Sequence, residues 1–208
     1  MPLQNRVTPF GEVVAVPQRG TLMGNRGGRI HTPDQELTRR RWASRRWIAC
    51  VLEFKGRRRQ VMAPARYTEL FFLDEATALA AGHRPCRECR RADYERFRQA
   101  WLKGNASLGL PADISIDEID RVLHAERVGP GGQKVRYTAR LCDLPDGVFV
   151  ARGGTALLVA GGSLWRWTPG GYSGRLPLDS AAKAVVLTPR SAVKAIAAGY
   201  RPAIHPSV

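Results

Sequence analysis

The chain has 208 residues and 44% of them are hydrophobic, which is enough to bury a core and excludes disorder as the default expectation. Its formal net charge of +15 is concentrated in residues 1–104, where 21 Lys and Arg stand against 10 Asp and Glu. No apolar run approaches the roughly 20 residues of a membrane-spanning helix, and the first residues lack the apolar segment of a signal peptide, so we expect a cytoplasmic protein with no membrane partner.

The first half is predicted to begin with strands. Residues 10–16 form a short strand, and a loop rich in Gly, Arg and Asn runs from 18 to 31. Residues 47–54 alternate as in a half-buried strand, and Lys55-Gly56 turns the chain back through 58–62. This predicts a basic β-hairpin.

A strand at 67–73 leads into a helix that is capped by Asp74 and stopped by Gly82. A second, amphipathic helix is predicted at 91–103. The segment after it, 104–111, is the most linker-like stretch of the chain. We therefore predict a domain boundary there, with one domain at 1–104 and another at 105–208.

The second half is predicted to be rich in β-strands. The capping box at Ser115 and Glu118 begins one helix. Short apolar runs separated by Gly and Pro then indicate a meander, at 134–141, 147–151, 156–160 and 164–167. The overall expectation is an α+β fold, with a small zinc-containing α/β module followed by a β-rich C-terminal region with short helices.

Residues 72–86 and 186–203 look like two copies of one pattern. Each has a strand, a capped helix, a glycine stop and Arg-Pro, but Cys86 of the first copy is replaced by Ala203 in the second. Either the second copy is a decayed duplicate with a structural role, or two ordinary helix endings resemble each other.

Cys86 and Cys89 form a Cys-x-x-Cys pair just after the first glycine stop. Two thiolates at this spacing can bind one metal ion, and neighbouring arginines favour the deprotonated sulfur that a metal requires. The pair supplies only half of a tetrahedral zinc site, so two further ligands are needed.

Around this pair, residues 72–91 resemble the metal-binding module of the Ada DNA-repair family. The matching residues are Ala-Gly-His-Arg-Pro-Cys-Arg-Glu-Cys at 81–89, after an alanine-rich helix. The resemblance implies a zinc domain that binds DNA, in which four cysteines hold zinc and one accepts a methyl group from a phosphotriester. Cys86 and Cys89 match the downstream ligand pair, whereas the upstream pair of the family is represented by Cys50 only.

We predict Cys50 as the third zinc ligand and His31 as the fourth, because imidazole replaces thiolate readily at structural zinc. His83 and Cys142 are the alternatives for the remaining position. The alternation around Cys50 also fits a small buried hydrophobic residue with no metal.

The arginines of the first half predict contact with nucleic acid, and DNA in particular, because neutralising a phosphate releases counterions. A basic face that is merely solvated is the alternative. The predicted contact residues are Arg39, Arg40, Arg41, Arg45, Arg46, Arg57, Arg58, Arg59, Arg84, Arg87, Arg90 and Arg91.

Two hypotheses of function follow. The first is a zinc-containing nucleic-acid-binding protein of DNA repair or maintenance, associated with the nucleoid if it binds DNA. The second is an enzyme acting on DNA, either through Cys50 as a zinc-bound alkyl acceptor or as a metal-dependent nuclease. A partner protein could bind the C-terminal half in either case.

Overall fold

The computed structural model describes residues 1–57 and 60–208, and within them it is an α+β fold with two six-stranded sheets. The strands are β1 (Gln4–Val7), β2 (Val13–Ala15), β3 (Leu22–Arg26), β4 (Trp47–Val51), β5 (Leu70–Phe72), β6 (Arg84–Pro85), β7 (Tyr137–Arg140), β8 (Phe149–Arg152), β9 (Thr155–Ala160), β10 (Ser163–Thr168), β11 (Gly171–Pro177) and β12 (Lys183–Val186). The α-helices are α1 (Glu75–Ala80), α2 (Arg91–Gly104), α3 (Ile116–Arg127) and α4 (Arg190–Ala197).

The first sheet is mixed and has the order β2-β1-β5-β3-β4-β6. The pairs β1–β5 and β4–β6 are parallel, and the other pairs are antiparallel. All its strands lie before residue 86. The second sheet is antiparallel throughout, with the order β11-β10-β9-β8-β12-β7, and its run from β8 to β11 is a meander.

Helix α1 lies between the two sheets, and all six of its residues are buried. Ala78 packs with Phe72 of the first sheet, and Ala76 packs with Phe149 and Leu158 of the second. The helix begins where the sequence predicts, because the Asp74 side chain accepts from the Thr77 amide at 2.8 Å and so caps the first turn.

The largest core crosses the predicted domain boundary. Phe97 and Trp101 of α2 pack in one cluster with Leu123 of α3, Val159 of the second sheet and Ile196 of α4. Residue 104 therefore separates the two sheets along the chain, whereas α2 belongs to the same core as the second sheet. The division into two domains stays a prediction.

Two expected local features are not formed. The predicted loop at 18–31 contains β3, which is a central strand because it pairs with both β4 and β5. The return arm of the predicted hairpin includes Arg58 and Arg59, which lie outside the described residues, and the described part at 60–62 is not a strand. Instead β4 pairs with β3 and β6.

The two copies of the repeated pattern end their helices in the same way. At Gly82 and at Gly199 the glycine amide donates to the carbonyl three residues earlier, and the next amide donates to the carbonyl five residues earlier. Both glycines have positive φ, +90° and +116°, which an L side chain rarely adopts. His83 and Tyr200 follow at equivalent positions, and both are buried.

Candidate metal centre

The pairing of β4 with β6 brings Cys50 next to Cys86. The two strands are parallel, with Ile48 opposite Arg84 and Ala49 opposite Pro85. The amide of Cys86 continues this pairing by donating to the Ala49 carbonyl at 2.9 Å. A short strand after the Gly82 turn thus places the first cysteine of the Cys-x-x-Cys pair beside a cysteine 36 positions earlier.

Cys89 completes a group of three thiols. Cys89 follows Cys86 in the turn that leads to α2, and the sulfurs of Cys50, Cys86 and Cys89 all lie within 4.8 Å of one another. Cys50 and Cys86 are buried, and Cys89 is partly exposed. Three sulfur donors at this separation can hold a metal ion and leave one tetrahedral position for a further ligand.

The three thiols share their protons unevenly. Hydrogen bonds from Cys50 and Cys89, together with the backbone amides of Cys89 and Glu88, lower the pKa of Cys86 below that of a free thiol. The pKa of Cys50 is raised, because it donates to Cys86 and Cys89 and because it is buried. Cys86 therefore loses its proton most easily. Cys50 and Cys89 would lose theirs only if a bound cation offset the added negative charge.

The structure corrects the prediction of His31 as the fourth ligand. His31 is buried elsewhere, with Nδ1 2.6 Å from the Thr68 hydroxyl and Nε2 3.2 Å from the Ala63 carbonyl, and it is not part of the three-thiol group. His83 and Cys142 are not part of the group either. His83 packs between the rings of Trp47 and Phe72, and Cys142 is exposed in the second half of the chain.

A cleft of about 700 Å³ opens beside the three cysteines. Its charged lining is balanced, with three basic residues, Arg19, Lys55 and Arg57, and three acidic ones, Glu53, Glu88 and the buried Glu69. One Glu69 oxygen accepts from the Met62 amide at 2.7 Å, and the other is buried with no partner among the described residues. The sequence analysis did not identify Glu69, although a carboxylate directly before the apolar strand β5 was a signal for it.

Most of the predicted contact arginines that the structure describes are exposed. Arg46 forms a bidentate ion pair with Asp117, and Arg57 pairs with Glu88, both on the surface. Arg58 and Arg59 lie outside the described residues. The exposed members are Arg39, Arg40, Arg41, Arg45, Arg46, Arg57, Arg87 and Arg91.

Arg84 and Arg90 are corrections to that set, because both are buried and paired. Arg84 donates two hydrogen bonds to Asp120, at 2.9 and 2.7 Å, and so ties β6 to α3. Arg90 donates to Glu75 at 2.8 Å and also pairs with Asp93. Their guanidinium groups are buried and paired with carboxylates, unlike the exposed arginines of the set.

Comparison with known proteins does not extend this description. Neither family models, nor curated proteins, nor solved structures contain a match to the chain. Within the described part of the chain, no helix combines the length and apolarity needed to cross a membrane.

Proposed function

We propose that the chain is a zinc-containing protein that binds nucleic acid, with DNA as the expected partner and repair or maintenance as the process. The observation that carries the proposal is the convergence of Cys50 with Cys86 and Cys89, with the exposed Arg87 inside the turn that joins the last two. Thiolate donors favour zinc among the common structural metals. In this proposal, residues 1–104 are the zinc module and the β-rich half supports it.

The exposed arginines next to the metal centre support the choice of nucleic acid. Arg87 lies within the Cys-x-x-Cys turn, and Arg91 begins the following helix. Neither has an ion-pair partner among the described residues, so each can neutralise a phosphate. The neighbouring cleft adds no net positive charge, because its three basic lining residues are matched by three acidic ones, and Arg57 is paired with Glu88.

Metal content is the first test. We expect about one zinc per chain in the wild type, and a loss of zinc in Cys50→Ser, Cys86→Ser and Cys89→Ser, measured by elemental mass spectrometry. Cys142→Ser is the matched control, because Cys142 is exposed and outside the group. A metal-free wild type, or equal zinc in all variants, would contradict the proposal.

Nucleic-acid binding is the second test. For a fluorescent DNA duplex and an RNA duplex of equal length, Arg87→Gln should weaken binding and reduce the salt slope by about 1 if Arg87 neutralises one phosphate. Arg152→Gln, an exposed arginine of the second sheet, should change neither quantity. Unchanged affinity and salt slope in Arg87→Gln would contradict a phosphate contact at Arg87.

The enzymatic alternative is supported by the cleft. Three protein ligands leave a position where a metal-bound water can be activated, and Glu69 has an unpartnered oxygen in the same cleft. This favours a metal-dependent nuclease over alkyl transfer to Cys50, since Cys50 is only 8% exposed. Glu69→Gln should then retain zinc but lose DNA cleavage, and an absence of wild-type cleavage would remove this alternative.

A further inference from the structure

A second pocket lies on the other face of the first sheet. Arg26 of β3 is opposite Trp47 of β4, and the next pair along the ladder is Asn25 with Ile48. Because side chains alternate across a strand, Arg26 and Trp47 point away from the face that carries Cys50. The pocket beside Arg26 and Trp47 shares none of its lining residues with the cleft at the metal centre.

This pocket is strongly basic. It has a volume of about 790 Å³, a size that suits a small organic ligand. Glu12 is the one acidic residue among its lining residues. The basic lining residues are Arg26, Arg41, Arg127, Lys134 and Arg136.

Three of these cations donate to backbone carbonyl oxygens; Arg26 and Arg127 are buried, and Lys134 is partly buried. Arg26 is 2% exposed and donates to the Gly11 carbonyl at 2.7 Å, and Arg127 is 3% exposed and donates to the Gly82 carbonyl at 2.6 Å. Lys134 donates to the Ala80 carbonyl at 2.6 Å. Within the described residues, none of the three has a carboxylate within ion-pair distance.

The lack of counter-charge has measurable consequences. The Nε atoms of Arg26 and Arg127 are buried without a partner. Burial lowers the pKa of both guanidinium groups to about 9 and that of Lys134 to about 7. Asp120 attracts Arg127 from a distance, but both its oxygens already accept from Arg84. Buried cations such as Arg26 and Arg127 are normally paired, so an anion in the pocket would offset the cost of burying them.

Aromatic rings form the rest of the binding surface. The guanidinium carbons of Arg26 and Arg127 each lie 4.2 Å from the Trp47 ring centroid, so Trp47 already contacts two cations. Trp42 lies 6.4 Å from Trp47, is only partly buried and also lines the pocket. A partly exposed indole beside buried cations suits a base that stacks while its phosphate is held.

We propose that this pocket binds a nucleotide, with the phosphate held by Arg26, Arg127 and Lys134 and the base stacked on Trp42. The nucleotide is either a free nucleoside monophosphate or one unit of a single strand, and both present the same phosphate and base. The inference does not rest on the metal centre. Absence of zinc would refute the proposed function and leave this site untouched.

The test is calorimetric titration of the full chain with 5′-AMP, adenosine and a dA12 strand. We expect AMP or dA12 to bind, adenosine to bind at least about tenfold more weakly than AMP, and inorganic phosphate to compete. Lys134→Met should weaken binding about tenfold or more, as loss of a hydrogen bond between charged groups does. Lys183→Met, the same change on an exposed residue of the second sheet, should leave affinity unchanged.

The outcomes separate the sources of the ligand. Binding of AMP that depends on Lys134 identifies a free nucleotide, and binding of dA12 but not AMP, with the same dependence, identifies a strand. Trp42→Leu, which removes the proposed stacking surface at a partly exposed position, replaces Lys134→Met if that variant does not fold. The proposal is overturned if neither ligand binds, if the pocket variants bind as the wild type does, or if adenosine binds as tightly as AMP.

Discussion

The ion pair between Arg84 and Asp120 should be one of the most sensitive points of the fold. Both side chains are almost completely buried, at 5% and 1% exposure, and they share two hydrogen bonds. Asp120→Asn keeps the size of the side chain but leaves the Arg84 charge buried without its counter-charge. Removing one partner of such a pair costs about 3–5 kcal/mol of unfolding free energy.

Asp117→Asn is a matched control on the same helix. Asp117 also forms two hydrogen bonds with an arginine, Arg46, but these two side chains are 56% and 66% exposed, so water and salt screen the interaction. Both substitutions change an aspartate that makes two hydrogen bonds to one arginine. Asp120→Asn makes this change in the core, and Asp117→Asn makes it on the surface. Burial is the main difference between the two sites; Asp117 also lies in the first turn of α3, and Asp120 also attracts Arg127.

Urea unfolding at saturating metal measures the difference. For a chain of this size the slope is about 2–3 kcal/mol per molar urea, so Asp120→Asn should lower the midpoint by about 1–2.5 M. Asp117→Asn should leave the midpoint close to that of the wild type. Equal shifts in the two variants would refute the assignment of Arg84 to a structural role and return it to the set of candidate phosphate contacts.

Two further predictions concern a glycine and a lysine around the basic pocket. Gly82→Ala should destabilise the protein more than Gly199→Ala in the same urea assay. Both changes put a side chain on a residue with positive φ, which costs about 1–3 kcal/mol. A Cβ at Gly82 would also lie 2.5 Å from the Arg127 Cδ, whereas no atom lies within 4 Å of a Cβ at Gly199. Equal losses would contradict the role of that contact. Because the pKa of Lys134 falls from 10.5 to about 7 on folding, the unfolded chain binds more protons between these values, so stability should rise with pH across this window. Lys134→Met should show a smaller rise between pH 7 and 10, and an unchanged pH dependence would mean that Lys134 stays charged in the fold.

The sequence predicted those elements whose signals are local. The signals come from residues that are close together in sequence. They predicted the Asp74 cap of α1, the Ser115 cap of α3 and the strand that carries Cys50. Cys50 joins Cys86 and Cys89 in one group, as the Ada resemblance and the Cys-x-x-Cys spacing led us to predict, whereas the alternation around Cys50 also fitted a buried residue without metal.

The remaining features depend on contacts between distant parts of the chain. β3 contains Gly24, which indicates a loop in isolation, but a Cβ there would lie 2.1 Å from the Ile48 carbonyl, so glycine is needed where β4 approaches closely. The burial of Arg84 depends on Asp120, 36 positions later, and in sequence Arg84 is indistinguishable from the exposed Arg87. His31 was chosen as a ligand by its residue type, and its burial against Thr68 carries no sequence signal.

The repeated helix ending suggests how the metal centre relates to the fold. The second copy forms the same turn at Gly199 with Ala203 in place of Cys86, so the turn itself does not need a metal. In that copy the same position has a different role, because the Ala203 carbonyl accepts from the first amides of α1 and its amide donates to Glu75 at 2.9 Å. The second copy thus supplies hydrogen-bond partners at the N-terminal end of α1, and the C-terminal end of α1 leads to Cys86 and Cys89. Bound metal would then fasten β4 to the Cys86 turn locally, while the core around α1 and α2 is held by packing that contains none of the three thiols.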